Sequence, residues 1–114
     1  MSTVIYHNPR CRKSRETLAI LEEKGEDLEI VKYLDNPPSQ SELIKLIGML
    51  DIKPIDLVRK NESIWKESFK GRELSDKDII KAMADHPKLI ERPIVVKQGK
   101  ARLGRPPESI LDIL

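Results

Sequence analysis

The first thirty-three residues follow a pattern that few folds can satisfy. Thr3 to Tyr6 is a short β-branched run that reads as a buried strand. Ser14, Thr17, Leu18 and Leu21 then recur at helical spacing with Ile20 beside them, and Glu22-Glu23-Lys24-Gly25 closes that helix, with Gly25 as its C-terminal stop. Leu28 to Tyr33 returns to the strand pattern. Strand, helix and strand within about thirty residues make a βαβ unit, with parallel strands and a right-handed crossover. The loop after the first strand must then lie at the carboxyl edge of the sheet, the side on which open α/β sheets bind ligands.

The pattern breaks at Asn36-Pro37-Pro38. Ser39-Gln40-Ser41-Glu42 is a capping-box sequence, and Leu43, Ile44, Leu46, Ile47 and Leu50 supply the apolar face of the helix it starts. Short helical pieces follow from Pro54 (Ile55, Leu57, Val58) and over Ile64 to Phe69. Ser75-Asp76-Lys77-Asp78 starts a further helix through Ile79, Ile80 and Met83, ending before His86-Pro87. Residues 39–87 therefore read as wholly helical. Ile94-Val95-Val96 is a strand, Gln98-Gly99 a tight turn, and Ala101 to Leu103 the hairpin partner. Gly104-Arg105-Pro106-Pro107-Glu108 opens a last helix with Ile110, Leu111, Ile113 and Leu114 as its buried side. The order is β-α-β, a helical insertion over about 39–90, then β-β-α. With no repeat or linker, and 114 residues in all, a single domain over residues 1–114 is expected.

The chain has one cysteine, Cys11, in Tyr6-His7-Asn8-Pro9-Arg10-Cys11-Arg12-Lys13-Ser14-Arg15, at the strand-to-helix junction. The first N–H groups of a helix lack intrahelical partners and favour a nearby negative charge. Arg10, Arg12, Lys13 and Arg15 surround the sulfur, and no acid occurs in the first fifteen residues. Both features lower a thiol pKa, so Cys11 is expected to be a thiolate near neutral pH, and the same donors could hold an oxyanion. A lone intracellular cysteine is more often a small buried hydrophobe. The Asn8-Pro9 loop and the cations argue against that here.

One cysteine excludes an internal disulfide, and with only His7 and His86 besides no metal-ligand spacing is recognisable. Residues 88–105 carry six Lys or Arg against one acid, whereas residues 16–87 carry eleven against sixteen. Two basic ends flanking an acidic middle would make an anion pocket if the fold joins them at Cys11. A nucleic-acid binder would need a basic stripe rather than one pocket. No signal-peptide pattern and no apolar run long enough for a membrane helix occurs, so a soluble cytoplasmic protein is expected.

Four spaced motifs carry a resemblance. Tyr6-His7-Asn8-Pro9-x-Cys11-x-x-Ser14-Arg15, Leu57-Val58-Arg59-Lys60, Glu91-Arg92-Pro93-Ile94-Val95-Val96 and Leu103-Gly104-Arg105-Pro106-Pro107-Glu108 are similar to the glutaredoxin-coupled arsenate reductase family. The resemblance implies an α/β, thioredoxin-like fold with a mixed four-stranded sheet, and an oxidoreductase acting on arsenate or a similar oxyanion. It implies Cys11 as nucleophile, glutathione as co-substrate, glutaredoxin as partner and no bound cofactor, in what is expected to be a monomer. By position the family's oxyanion-binding arginines fall on Arg59, Arg92 and Arg105. Arginine suits the role because its planar fork holds two oxygens and stays charged. For Arg59 an ion pair with Asp56 or Glu62 competes with that role. Pro93 corresponds to a cis-proline that in such folds packs against the nucleophile's loop, which would bring Arg92 beside Cys11.

His7 could lower the Cys11 pKa as His⁺ or as a hydrogen-bond donor, or only cap the loop as a strand-end histidine. Ser14 could donate to the thiolate or be an ordinary first-turn serine. Asn8 and Pro9 read as loop-shaping, His86 as a surface residue, and Trp65 with Phe69 as packing. Arg12 departs from the small residue usual after the family's cysteine; it could join the oxyanion site or crowd it. Two alternatives remain on the same fold. One is a glutathione-dependent thiol/disulfide reductase without arsenate activity. The other, an Spx-type RNA polymerase-binding regulator, usually has Cys-x-x-Cys, and Ser14 removes the second sulfur.

Overall fold

The computed structural model describes residues 2–114. They form two compact units, one of residues up to Asn36 together with Arg92–Leu114, the other of Pro37–Glu91.

In the first unit, β1 (Thr3–His7), α1 (Arg12–Glu23) and β2 (Leu28–Lys32) are the expected βαβ. β3 (Ile94–Lys97) and β4 (Lys100–Leu103) complete a sheet of order β2-β1-β3-β4. β1 pairs parallel with β2, from Thr3↔Leu28 to His7↔Lys32, and antiparallel with β3; β3 and β4 form the antiparallel hairpin. This is the thioredoxin-like arrangement. Gln98 (φ 51) and Gly99 (φ 78) both take positive φ, the turn chemistry that a two-residue hairpin favours.

Strand period decides which residues face α1. Thr3, Ile5 and His7 alternate into the buried side of β1, so His7 lies on the same face as Ile5. Ile5, Leu21, Val95 and Ile110 form the fully buried core, and α1 buries Ser14, Thr17 and Leu21 along one stripe. At the opposite end of the sheet Glu26 Oε1 accepts from Thr3 Oγ1 (2.6 Å) and pairs with Lys97 Nζ (2.8 Å).

The last helix differs from expectation. Pro107–Ile113 is a 3₁₀ segment, and Leu111 is 43% exposed rather than buried. With three residues per turn, Pro107, Ile110 and Ile113 share a face. Pro107 and Ile110 are buried there, and Leu111 is turned off it.

In the second unit, α2 (Gln40–Leu50) and α4 (Asp76–Asp85) start at full capping boxes, Ser39 with Glu42 and Ser75 with Asp78. Leu43, Leu46, Ile47 and Leu50 form the buried stripe of α2, while Ile44, expected on it, is 58% exposed. Ile44 lies one helical step, about 100°, beside Leu43 and so leaves the stripe. α3 (Ser63–Ser68) is short, and Pro54–Leu57 and Pro87–Leu89 are 3₁₀ turns. The segment is not wholly helical: Val58 bridges antiparallel to Ile90, Arg59 N donates to Leu89 O (2.7 Å) and Glu91 N to Leu57 O (2.8 Å). Trp65 and Phe69 stack at 5.5 Å, with His86 edge-on to Phe69. Among the described residues no helix is long and apolar enough to cross a membrane.

Two glycines should respond oppositely to a methyl group. A Cβ on Gly104 would collide with the Thr17 side chain and lie 2.7 Å from Pro93 Cγ, whereas at Gly48, inside α2, nothing lies within 4 Å. Gly104→Ala should lose about 1–3 kcal/mol, and Gly48→Ala should gain about 0.5–1 kcal/mol from helix propensity. Urea unfolding of both variants checks the signs.

Candidate active site

β1 delivers His7 to the sheet edge, and the chain turns at once into α1. Asn8 shapes that turn twice, accepting from Arg10 N through Oδ1 (3.0 Å) and from Cys11 N through its carbonyl (3.0 Å). Arg15 Nη1 reaches back six residues to Pro9 O (3.0 Å) and braces the loop. Cys11 is the N-cap residue of α1, with extended backbone (φ −93, ψ 122). Its sulfur therefore occupies the place of a capping oxygen, facing the N–H groups of the helix's first turn.

The Cys11 side chain is almost covered, at 9% exposure. Burial pushes its thiol up. The backbone N–H of Ser14, the charge and hydrogen bonding of the Arg92 guanidinium, and the backbone N–H of Lys13 outweigh burial and hold the thiol below its ordinary value. At position 14 the group acting on the sulfur is the N–H. The Ser14 hydroxyl, fully buried, meets His7 Nδ1 at 2.7 Å and accepts from Asn8 N at 3.0 Å.

His7 is not the cation one reading allowed. Burial, then Lys32 and Arg15, lower its pKa from 6.5, so the ring is neutral at pH 7. It is a neutral brace that joins the end of β1 to the first turn of α1 through Ser14.

Arg92 is the residue at which the chain re-enters the first unit, two positions before β3; the Arg92–Pro93 and Arg105–Pro106 bonds are both cis. Arg92 Nε and Nη1 are buried without a hydrogen-bond partner. Buried guanidinium nitrogens left unpaired are costly, and an anion's oxygens would satisfy them. Arg105 Nε donates to Arg92 O (2.8 Å), and Gly104 N to Pro93 O (2.9 Å), so the end of β4 is fastened to the start of β3.

Arg12 differs from the expectation that it joins these arginines. Its guanidinium is 85% exposed and pairs with Glu16 at 3.5 Å, one turn along α1. Arg59, in the second unit, makes the ion pair weighed against its functional role, 3.5 Å from Glu62, and a second at 3.5 Å to Glu91. Among the described residues no group of three or more His, Cys, Asp or Glu could hold a metal. The Arg15 brace and the Gly104 contact were not anticipated; the one available signal for the first was Arg15's place one turn after Cys11.

The thioredoxin-like sheet thus carries, at one edge, a thiol lowered by a helix N-terminus and by Arg92, whose Nε and Nη1 are buried with no hydrogen-bond partner. The ArsC family matches residues 6–113. The chain is 45% identical over 112 residues to an arsenate reductase of Neisseria meningitidis, with 96% of each protein covered. It is 49% identical over 114 residues to the Escherichia coli protein YfgD, covering 96% of this chain and 94% of that one. A solved arsenate reductase from Vibrio cholerae superposes with a TM-score of 0.96 at 52% identity, covering 100% of this chain and 98% of that one. The chain belongs to the ArsC family.

Two measurements follow from the geometry. Arg92→Met should raise the Cys11 pKa, read as ultraviolet thiolate absorbance against pH, by more than Ser14→Ala does, because the second variant keeps the backbone N–H. Equal shifts would remove Arg92 from the sulfur's environment. The second concerns His7, whose folded pKa lies below its ordinary 6.5. As pH falls through 6.5 the unfolded chain takes up the proton first, so this contribution to stability is whole above that pH and lost below it. Unfolding midpoints of the parent should therefore fall more steeply over that acid range than those of His7→Gln.

Proposed function

We propose that this protein reduces arsenate to arsenite in the cytoplasm as a monomer, with glutathione and glutaredoxin supplying the thiols it lacks. Cys11, as thiolate, attacks arsenic(V) and an arsenate oxygen leaves as water, giving a sulfur–arsenic adduct. Glutathione displaces a second oxygen as water. A glutaredoxin thiolate then attacks the glutathione sulfur; that sulfur–arsenic bond breaks with its electron pair left on arsenic. Arsenic is thereby reduced to the trivalent state, and the two thiols are oxidised to a mixed disulfide. Water releases arsenite from Cys11. A single protein cysteine suffices for this sequence.

In this reading Arg92 and Arg105 hold the arsenate oxygens, and His7 with Ser14 positions the first turn of α1. Asn8, Pro9 and Pro93 shape the walls. Arg59 enters only through the family motif, and the whole chain acts as one functional domain. The observation that carries the reading is the pair of buried, partnerless nitrogens of Arg92 at a residue that also lowers the Cys11 pKa. A guanidinium carrying a permanent charge suits a tetrahedral oxyanion better than a disulfide, which has no charge to place there. The full-length likeness to the N. meningitidis arsenate reductase points the same way.

Cys11→Ser should abolish arsenate reduction in a coupled glutathione–glutaredoxin assay while the circular dichroism spectrum is kept. Arg92→Ala or Arg105→Ala should lower kcat/KM for arsenate by about 10²–10³, and Lys100→Ala, at the exposed start of β4, should leave it nearly unchanged. Turnover of a glutathionylated disulfide in place of arsenate, with no arsenate activity, would replace this reading with the thiol/disulfide reductase.

A further inference from the structure

Beside the Cys11 loop lies a second feature, whose charged side chains the oxyanion chemistry does not use. β1 and β2 run parallel, with His7 opposite Lys32, so the loops that leave their carboxyl ends are neighbours. Between them is a cleft of about 360 Å³ lined by His7, Asn8, Pro9, Arg10, Lys32, Leu34 and Asp35. That volume is at the low end for small-molecule sites, far too small for a macromolecule. One wall is tied by Asp35 N and Asn36 N, both donating to Lys32 O, and the other by Asn8, so the cleft is preformed.

Its charges are not spent on the fold. Arg10, Lys32 and Asp35 are exposed, and none makes an ion pair with any described residue. With His7 neutral, the cleft offers two cations, one carboxylate and the apolar Leu34, itself 39% exposed. Glutathione carries two carboxylates, one ammonium group and a thiol between them. The two charge sets are complementary in sign and number.

We propose that this cleft is the glutathione subsite, with Arg10 and Lys32 holding the two carboxylates and Asp35 the γ-glutamyl ammonium. The assignment rests on the reading of glutathione as co-substrate. Arg10 is the residue before Cys11, one Cα step of about 3.8 Å, and a tripeptide reaches about 10 Å when extended. Glutathione bound here would lie against the loop that carries Cys11, with its thiol on the middle of its three residues. It would approach from the β2 side, opposite in the sheet order to β3, where Arg92 and Pro93 stand. Arsenate and thiol would thus not compete for one wall.

The binding arm of the test needs no arsenate. Titrating the ¹⁵N-labelled full chain with S-methylglutathione, which cannot react, should shift amides of residues 7–10 and 32–35, while inorganic phosphate should not reproduce that set. Shifts confined to residues 92–93 and 104–105, no shifts at millimolar ligand, or the same set with phosphate would each overturn the subsite. In the coupled assay Asp35→Lys should raise KM for glutathione about tenfold, as expected for loss and reversal of a charge-assisted contact, with KM for arsenate unchanged. A glutathione lacking the α-amino group should bind the parent and Asp35→Ala equally. An equal loss for both ligands would mean that Asp35 acts on the loop rather than on the ammonium, and would overturn its assignment. If S-methylglutathione binds as expected but arsenate is not reduced, the subsite stands and the arsenate reading fails; the reverse result removes only the subsite.

Discussion

Everything at the site depends on holding a nearly covered thiol below its ordinary pKa. Cys11 is 9% exposed, and desolvation by itself would favour the neutral thiol. Two fixed groups reverse that outcome: the open N–H groups of the first turn of α1 and the guanidinium of Arg92. One is backbone, and the other belongs to a half-buried side chain whose Nε and Nη1 are covered. Arg92 in turn is held at a cost. Its unpartnered Nε and Nη1 forgo about 1–3 kcal/mol each when buried. Stability is thus lower than for an arginine that is fully paired within the fold.

The sheet explains how residues far apart in the chain meet there. β1 is a central strand, and its two-residue period turns His7 toward α1, where Ser14 completes the link. β3 lies on its other side, so the residue before that strand arrives at the same carboxyl edge. Gly104 then closes the assembly. Only a residue without a side chain fits between Thr17 and Pro93, and its N–H and the next residue's guanidinium both bond to the Arg92-Pro93 segment. The two basic ends of the chain are joined through the antiparallel pairing of β1 with β3.

What was legible in the sequence is what short-range rules decide. The βαβ unit, the capping boxes at Ser39 and Ser75, the Gln98-Gly99 turn and the placement of Cys11 all follow from spacing within one or two turns of chain. What was not legible depended on packing between distant segments. The neutral state of His7 follows from its burial and from Lys32, its register partner across β1 and β2. Leu111 was misplaced because a 3₁₀ segment repeats every three residues, and no local signal in Pro106-Pro107-Glu108 distinguishes that from an α-helix. Ile44 was misplaced because an apolar residue at the border of a helical stripe need not be covered.

The arginines show the same division most clearly. Arg10, Arg12, Lys13 and Arg15 surround Cys11 in sequence, yet the one guanidinium that lowers its pKa comes from residue 92. Arg12 is turned to Glu16 in solvent, and Arg15 is spent on Pro9 O. Exposed charges are screened by water and salt over about 8–10 Å, so closeness in sequence confers little field at a covered atom. A charge shielded from water keeps its effect. The cations near Cys11 in sequence can still draw an anion toward the sheet edge, but the guanidinium that acts on the sulfur is that of the half-buried Arg92.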